Sequence, residues 1–276
     1  MKLNKQTLSE QIYQILRTDI LMQRIPGGTK LTLKSLIERF GVSSTPIREA
    51  LTRLSEEQLV SYYSNVGVSV VELSDQDLRE IYEFMGDLDA LAISYASSSD
   101  DIASLKQELS ENLRAAEQAL HSLKAGRRKE TEGAVEAGRP GHTEAPGGWD
   151  ATDAQWAPGG SGAADTQGTS GEHAEEQLAE FIRCSDEFHL LFYKYCGNTR
   201  LIHSARRMRS QMSIAAYRYE KDIKNLFPIH EEHKQIFEAF HSGDFSGACS
   251  LMRLHMQHSL QYALELNRND SRKEQP

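Results

Sequence analysis

One stretch, FGVSSTPIREALTRLSEEQLV at residues 40–60, limits the fold more than any other part of the chain. Pro46 stands in a pattern of apolar residues at i, i+3, i+4 and i+7, which is typical of a helix with one buried face. Those apolar residues are Ile47, Ala50, Leu51 and Leu54. Because proline lacks an N–H, it is tolerated in the first helical turn and breaks a helix farther in. The helix is therefore predicted to begin at about Thr45, with the Thr45 hydroxyl as its cap and residues 41–43 as a turn.

The segments on either side of this helix complete a small domain. Residues 33–40 carry a second, shorter apolar stripe, and residues 8–20 carry a third that ends before Pro26-Gly27-Gly28. Downstream, LVSYYSNVGVSVVEL is rich in Val, Tyr and Ser around a single glycine, which predicts a β-hairpin. Two helices joined by a tight turn, preceded by a third helix and followed by a hairpin, describe a winged helix-turn-helix over residues 1–73.

Beyond this unit the apolar spacing is helical to about residue 267, with one interruption. Residues 124–172 hold eleven of the nineteen glycines and three of the seven prolines, and no Leu, Ile, Phe or Tyr. Such a segment cannot bury enough apolar surface to offset the entropy lost on ordering. We expect a mainly α protein, with an all-helical domain over residues 74–267, a disordered insertion at 124–176 and a disordered tail at 268–276.

Charge is distributed unevenly along the chain. The net charge is −9, yet residues 1–72 hold nine Lys or Arg and seven Asp or Glu, a net charge of +2 that leaves −11 for the rest. A basic N-terminal domain on an acidic body fits a nucleic-acid partner, although the excess is small. No apolar run reaches about 18 residues, and the N-terminus lacks the apolar core of a signal peptide. We therefore expect a cytoplasmic protein without membrane contact.

The stretch GVSSTPIREALTRLSEEQLV followed by NVGVSVVEL resembles the DNA-binding domain of the GntR family of bacterial transcriptional regulators, over roughly residues 5–73. A helix-turn-helix lays its second helix in the major groove, where its N-terminal residues, here Ser44, Thr45 and Arg48, meet base edges. Arg48 can donate two hydrogen bonds to a guanine. Ser43 and the unpaired N–H groups at the helix start suit a phosphate.

The resemblance implies two further DNA contacts, and the chain departs from the family pattern at two positions. It implies that Lys34 contacts the DNA backbone and that Gly67 is the tip of the wing. The family usually has arginine where this chain has Ser44, and often a basic wing residue where it has Val66. We therefore expect an operator that differs from common family sites, or weaker binding by one domain alone.

The helical remainder resembles the FadR-type subgroup of this family, whose effector domain is a bundle of six or seven helices. The resemblance rests on DEFHLLFYKYCGN, EEHKQIFEAFHSGD and ACSLMRLHMQHSL. It implies a homodimer on a palindromic operator and a small-molecule effector, of the organic-acid or sugar-acid class, with Asn198 in the effector pocket. Met85 and Gly86 stand where the family often has an arginine for an effector carboxylate. A basic cluster is interpreted as solvated surface, with the pocket wall as the alternative. Its members are His203, Arg206, Arg207 and Arg209.

Three of the ten histidines have a spacing that places them together. His233 lies ten residues before Gly243 and His255 twelve after it. At about 1.5 Å per residue, each is about 15–18 Å from this turn, so in an antiparallel helix pair they lie side by side. His189 stands on the helix EFIRCSDEFHLLFY. Three converging imidazoles suit a divalent metal such as Zn²⁺; hydrogen-bonded core histidines are the alternative.

The resemblance favours the metal, because many FadR-type domains bind one through three histidines and an aspartate. That aspartate usually stands four residues before the first histidine, a position that is Ser185 here, and Asp186 stands three before His189. Three alternatives stay open: Asp186 replaces the usual ligand, the site consists of histidines alone, or no metal binds.

We expect a ligand-responsive DNA-binding regulator and not an enzyme. The first alternative is a metal-dependent enzyme that uses the three histidines to activate water. Against it, the chain has no HExxH, and no Ser-His-Asp set or glycine-rich phosphate loop is apparent. The second alternative is a scaffold protein that holds a partner through Trp149 and Trp156 of the insertion.

Overall fold

The computed structural model describes residues 7–63, 67–136 and 169–273. In chain order the elements are α1 (Leu8–Leu21), β1 (Lys30–Leu31), α2 (Leu33–Phe40), α3 (Ser44–Glu56), β2 (Val60–Tyr63), β3 (Gly67–Val70), α4 (Asp75–Ala96), α5 (Ile102–Glu136), α6 (Thr169–Tyr195), α7 (Thr199–Glu220), α8 (Ile223–Ser242) and α9 (Phe245–Lys273). The predicted mainly α fold, with a winged helix-turn-helix before a helical bundle, is confirmed.

The turn between α2 and α3 depends on a glycine with positive φ. Gly41 has φ of +63° and ends α2, with its N–H bonded to the carbonyl oxygen of Ile37 at 2.9 Å. A residue with a side chain is strained in this conformation. Helix α3 follows directly after Ser43, its N-cap residue. The expectation that Thr45 caps the helix is therefore wrong. Thr45 is the second residue of α3 and Pro46 the third, a position whose N–H has no partner within a helix.

The hairpin forms the wing, and a third strand joins it. Strands β2 and β3 are antiparallel, with Val60 opposite Val70 and Ser61 opposite Ser69. Strand β1 pairs with the other edge of β3, which gives the order β1-β3-β2. The sequence pattern does not predict β1, because two residues are too few to show alternation. The hairpin tip, residues 64–66, lies outside the described residues and includes Val66.

The core of the N-terminal domain is formed by its helices and its sheet. Leu16, Ile47, Leu54 and Leu59 are fully buried there. Ile214 of α7, which belongs to the helical bundle, is buried in the same core. Helix α7 thus packs into both domains.

Among the described residues, six helices, α4 to α9, form the bundle around one apolar core. Helices α4 and α9 approach closely at Gly86. A Cβ atom at Gly86 would lie 3.3 Å from the Cβ of Met256. This close approach accounts for a glycine in a helix interior, where it costs about 1 kcal/mol relative to alanine.

The helices reach farther into the predicted disordered segments than expected. Helix α5 continues to Glu136 and α6 begins at Thr169, so both enter the 124–176 insertion. Residues 124–136, KAGRRKETEGAVE, contain many Lys, Arg, Glu and Ala, which favour helix even without an apolar face. Helix α9 likewise continues to Lys273, into the predicted tail. Residues 137–168, with both tryptophans, lie outside the described residues. Each described helix is too short or too polar to cross a bilayer.

Candidate nucleic-acid interface and histidine centre

The outer face of α3 is exposed and carries one cation without a protein partner. Thr45, Arg48 and Thr52 are exposed on this face, while the apolar stripe is buried on the other. The Arg48 guanidinium forms no hydrogen bond or ion pair with any described residue. Arg53, which follows one turn later, is instead paired with Glu10. Arg48 therefore remains available to a partner outside this chain.

The other candidate DNA contacts lie at the helix start, on α2 and on the wing. Ser43 is exposed, and its side chain makes no capping hydrogen bond, so its hydroxyl and the first N–H groups of α3 are available. Ser44 is half-buried and Lys34 on α2 is exposed. Gly67 opens β3 with φ of +100° and open space around it. Ser43, Thr45 and Arg48 thus share the N-terminal end of α3, and Lys34 and Gly67 lie on neighbouring elements.

The structure brings His189, His233 and His255 together from α6, α8 and α9. Their ligand atoms all lie within 4.8 Å of one another, and all three side chains are buried. The Nε2 atoms of His233 and His255 are 3.3 Å apart. The two histidines do lie side by side across the turn at Gly243, as the spacing predicts.

Two carboxylates orient two of these imidazoles through hydrogen bonds to their Nδ1 atoms. His189 Nδ1 donates to Asp89 Oδ2 at 2.9 Å, and His255 Nδ1 donates to Glu232 Oε2 at 2.7 Å. A hydrogen bond at Nδ1 fixes the ring and leaves Nε2 with its lone pair toward the cluster. The sequence interpretation identified neither Asp89 nor Glu232.

The protonation states suit metal binding. Burial, with the nearby Arg209, lowers the pKa of His189 to about 4. Burial and the neighbouring His255 hold the pKa of His233 well below its usual value. Although burial alone would raise the pKa of Asp89, the Arg209 guanidinium and His189 hold it well below its ordinary range. Neutral imidazoles with anionic carboxylates behind them are the donor set that Zn²⁺ prefers, so these residues fit a divalent metal.

No carboxylate joins this cluster among the described residues. Ser185, at the position of the usual aspartate, has its hydroxyl 3.2 Å from Oε1 of Glu220. Asp186 faces Arg209, with its Oδ1 4.0 Å from Nη1. The arrangement therefore argues against Asp186 as a ligand and leaves two of the three alternatives, a site of histidines alone and no metal. The cavity that His189 and His255 line has a volume of about 10 Å³, which is at the lower limit for one water molecule.

Arg209 is not a surface residue. Its side chain is 7% exposed, and Nη2 donates to both oxygens of Asp89 at 2.8 and 2.7 Å. The interpretation of the basic cluster as solvated surface is wrong for this member, while His203, Arg206 and Arg207 are exposed. The spacing of the apolar residues on α7 could have predicted that Arg209 is buried. Arg209 shares the face of α7 that buries Ala205, Met212 and Ala216.

Helix α7 also connects this centre to the N-terminal domain. One residue after Arg209, the Ser210 hydroxyl donates to Glu57 Oε2 at 3.4 Å. Glu57 caps the C-terminus of α3 and accepts hydrogen bonds from Tyr13 and Arg17 of α1. Two neighbouring residues of α7 therefore contact the histidine centre and the C-terminal end of α3.

The structure places Asn198 directly before α7. Its side-chain oxygen accepts a hydrogen bond from the N–H of Leu201 at 3.1 Å, and Asn198 is the N-cap residue of α7. Asn198 therefore has a structural role as a cap, and its place in an effector pocket stays a prediction.

A second buried carboxyl group lies beside this centre and leads to a prediction. Burial, reinforced by the charge of Asp186, raises the pKa of Glu220 to about 8. A carboxyl with a raised pKa in the folded state stabilises the fold while protonated, so stability is lost as the pH rises from about 4.5 to about 8. His189 acts in the opposite direction, because its lowered pKa makes stability fall below about pH 6.5. We expect the Tm of the metal-free protein to fall between pH 6.5 and 8.

The substitution Glu220→Gln should remove that fall. Thermal unfolding in EDTA at several pH values measures it, with Glu111→Gln as the control, since Glu111 is exposed on α5. A Tm that falls equally in wild type and Glu220→Gln would contradict the protonated state of Glu220.

Comparisons with known proteins agree with this architecture. The profile described as "Bacterial regulatory proteins, gntR family" matches residues 8–70, and that described as "FCD domain" matches residues 165–258. The transcriptional repressor GlaR of Escherichia coli is 31% identical over 84 residues, which cover 30% of this chain and 38% of GlaR. The transcriptional regulator McbR of Escherichia coli is 31% identical over 120 residues, which cover 42% of this chain and 54% of McbR. These alignments span only about a third to a half of the relatives' lengths.

Solved structures show the same fold along nearly the whole chain. The structure of E. coli McbR/YncC superposes with a TM-score of 0.63 and 18% identity, covering 95% of this chain and 99% of that one. A structure described as a transcriptional regulator GntR from Rhodococcus sp. RHA1 superposes with a TM-score of 0.62 and 15% identity, covering 93% of this chain and 97% of that one. At these identities the likeness concerns the fold alone. With both profiles matched in the expected order, the chain carries a DNA-binding domain of the gntR family of bacterial regulatory proteins, followed by an FCD domain.

Proposed function

We propose that this chain is a ligand-responsive transcriptional regulator that binds a palindromic operator as a homodimer and senses a small organic or sugar acid. The observation that carries the proposal is the outward face of α3, where the Arg48 guanidinium has no partner among the described residues. An unpaired cation at the N-terminal end of the second helix of a helix-turn-helix is positioned for base edges in the major groove.

The contacts divide into base readout and positioning. Arg48 reads a guanine, and Thr45 and Ser44 contact neighbouring base edges. Ser43 with the helix N-terminus, Lys34 on α2 and the backbone at Gly67 contact phosphates or the minor groove, which fixes the register without reading sequence.

The test is selection of bound duplexes from a random library by the full-length protein. We expect enriched sites with two inverted half-sites, centred about one helical turn apart and each containing a conserved guanine. Enrichment of no sequence, or of sites without inverted symmetry, would contradict the proposal.

We propose that the histidine centre holds a divalent metal such as Zn²⁺. His189, His233 and His255 would be the ligands, and Asp89 and Glu232 would orient two of them. Such an ion supplies positive charge and an open coordination position. Since the adjoining cavity is about 10 Å³, it does not admit an organic substrate in this conformation, which weighs against the enzyme alternative.

The homodimer is proposed to form through an apolar stripe on α4. Phe84, Leu91 and Tyr95 are 41–49% exposed, and the half-buried Leu88 completes the spacing of 4, 3 and 4 residues. Large apolar side chains in a row on one helix favour burial against another surface. A second copy of the same helix is self-complementary in a two-fold dimer, so each stripe covers the other.

The substitution Phe84→Glu should therefore shift the protein from dimer to monomer. A charge in an apolar seam costs several kcal/mol unless it is paired, because the carboxylate loses its hydration. Sedimentation or light scattering measures the mass, with Phe227→Glu as the control, since Phe227 is similarly exposed but lies on α8. Equal effects of the two substitutions, or none from Phe84→Glu, would contradict the α4 interface.

The effector response is proposed to pass through α7. This helix holds Arg209 beside the histidine centre, Ser210 against Glu57 and Ile214 in the N-terminal core. An effector that binds one placement of α7 better than another shifts the position of the DNA-binding domains, by as much as its affinity differs between the two.

A further inference from the structure

A large cavity lies between the two domains and is separate from the histidine cluster. Its volume is about 520 Å³, within the range of roughly 300–1,000 Å³ that is usual for small-molecule sites. One wall comes from α1 and Glu57 of the DNA-binding domain, and the other from α6 and α7 of the FCD domain. The cavity beside the histidines, at about 10 Å³, is too small for any metabolite.

Several cations lie in the walls of this junction cavity, and one of them has no charged partner among the described residues. Arg17, Arg206 and Arg209 line it, together with the carboxylates Glu57 and Asp186. Glu57 is already satisfied, since it accepts hydrogen bonds from Tyr13, from Arg17 Nε at 3.0 Å and from Ser210. Arg206 is exposed and forms no ion pair or side-chain hydrogen bond with a described residue. The Arg206 guanidinium is therefore available to an anionic ligand.

Arg209 also lacks part of its hydrogen bonding. Its Nε and Nη1 groups are buried and have no acceptor among the described residues. Asp186 Oδ1 lies 4.0 Å from Nη1, beyond hydrogen-bonding distance. A buried donor without an acceptor is unfavourable, so a carboxylate group that reaches this guanidinium would relieve that cost.

Another part of the wall is apolar, which favours a ligand that has an apolar body besides its charged group. Leu190, Ile202 and Ala205 line the cavity from α6 and α7. We propose that the junction cavity binds a small organic acid, with its carboxylate on Arg206 and Arg209 and its apolar body against these three residues. This inference deepens the proposed function, on which it rests, by placing the effector outside the histidine cluster.

A ligand in this cavity would contact both the DNA-binding domain and the FCD domain, whose relative position is proposed to change when the effector binds. Tyr13, Arg17 and Glu57 belong to the DNA-binding domain, and Glu57 caps the C-terminus of α3. Arg209 holds Asp89, which orients His189 of the histidine centre. The acid therefore binds well only when the domains enclose the cavity, so it selects one placement of the recognition helices.

The experiment uses the full-length protein without DNA, so it is independent of operator binding. Calorimetry measures the binding of benzoate and hexanoate, with benzyl alcohol and inorganic phosphate as probes that have only the apolar body or only the charge. Two variants are compared. Arg206→Glu reverses a charge in the cavity wall, and Arg207→Glu makes the same change at the adjacent exposed residue, which is not part of that wall.

We expect both acids to bind, with an affinity loss of about tenfold, or about 1.4 kcal/mol, for Arg206→Glu. Arg207→Glu should change the affinity less than about twofold, because an exposed charge outside the cavity is screened by solvent. Benzyl alcohol and phosphate should bind far more weakly than benzoate. Binding should be the same in EDTA and with Zn²⁺.

Several results would overturn the inference. One is the absence of binding at acid concentrations up to about 10 mM, which would reveal even an affinity near 1 mM. If Arg206→Glu and Arg207→Glu lower the affinity for the acids equally, the junction cavity is not the binding site. Binding that requires Zn²⁺ and ignores Arg206→Glu would place the acid at the histidines. If phosphate binds as well as benzoate, the cavity does not select for organic acids. DNA binding would stand in each case.

Discussion

Replacing Arg48 by alanine is expected to abolish sequence-specific DNA binding while the protein stays folded. A bidentate arginine contact to guanine contributes roughly 1–3 kcal/mol of discrimination, and a dimer loses two such contacts. The summed loss of roughly 2–6 kcal/mol corresponds to a 30-fold to more than 10⁴-fold weaker complex. The Tm should change little, because Arg48 is exposed and makes no side-chain contact that stabilises the domain.

Fluorescence anisotropy with the selected operator and with a scrambled duplex measures this loss at fixed salt, since phosphate contacts make any affinity salt-dependent. Arg207→Ala is the matched control, because it removes the same charge from an exposed position on α7. We expect Arg48→Ala to bind both duplexes with the weak affinity of the scrambled one, and Arg207→Ala to behave as wild type. An Arg48→Ala protein that still binds the operator at wild-type concentrations would contradict the assignment of α3 as the recognition helix.

The DNA-binding domain was predictable because its signals are local. The apolar stripe of α3, the turn at Gly41 and the hairpin each depend on residues a few positions apart, and together they define one fold. The cap of α3 was the error in this region. Ser43, Ser44 and Thr45 are all suitable capping residues, and the sequence alone does not decide among them.

The histidine centre was predictable only in part, for the same reason. His233 and His255 are 22 residues apart across one short turn, so helix geometry alone brings them together. Asp89 contacts His189 across 100 residues and Arg209 across 120. No pattern within one helix shows which helices become neighbours, so the groups that orient the histidines were missed. Arg209 of α7 binds Asp89, which lies one helical turn after Met85 on α4.

The second large effect is expected from His233→Gln, which should prevent the stoichiometric binding of Zn²⁺. His233 is one of three candidate ligands in the cluster among the described residues, and its amide replacement is a poor zinc ligand. In wild type, metal at 100 times its Kd should stabilise the fold by about 2.7 kcal/mol. For a chain of this size the Tm rises by roughly 5–10 °C. In His233→Gln that rise should disappear, and elemental analysis should show less than one metal for every ten chains.

His230→Gln is the matched control, since it makes the same change on the same helix three residues away. His230 is buried and both its ring nitrogens lack a hydrogen-bond partner among the described residues, but it lies outside the cluster. Both variants lose a buried imidazole, so both are expected to have a lowered Tm in EDTA. Only His233→Gln should also lose the metal and the Tm rise that the metal produces. Equal zinc content in the two variants, or a wild-type protein whose Tm does not respond to Zn²⁺, would show that the three histidines are core residues without an ion, because packing alone would then account for their burial.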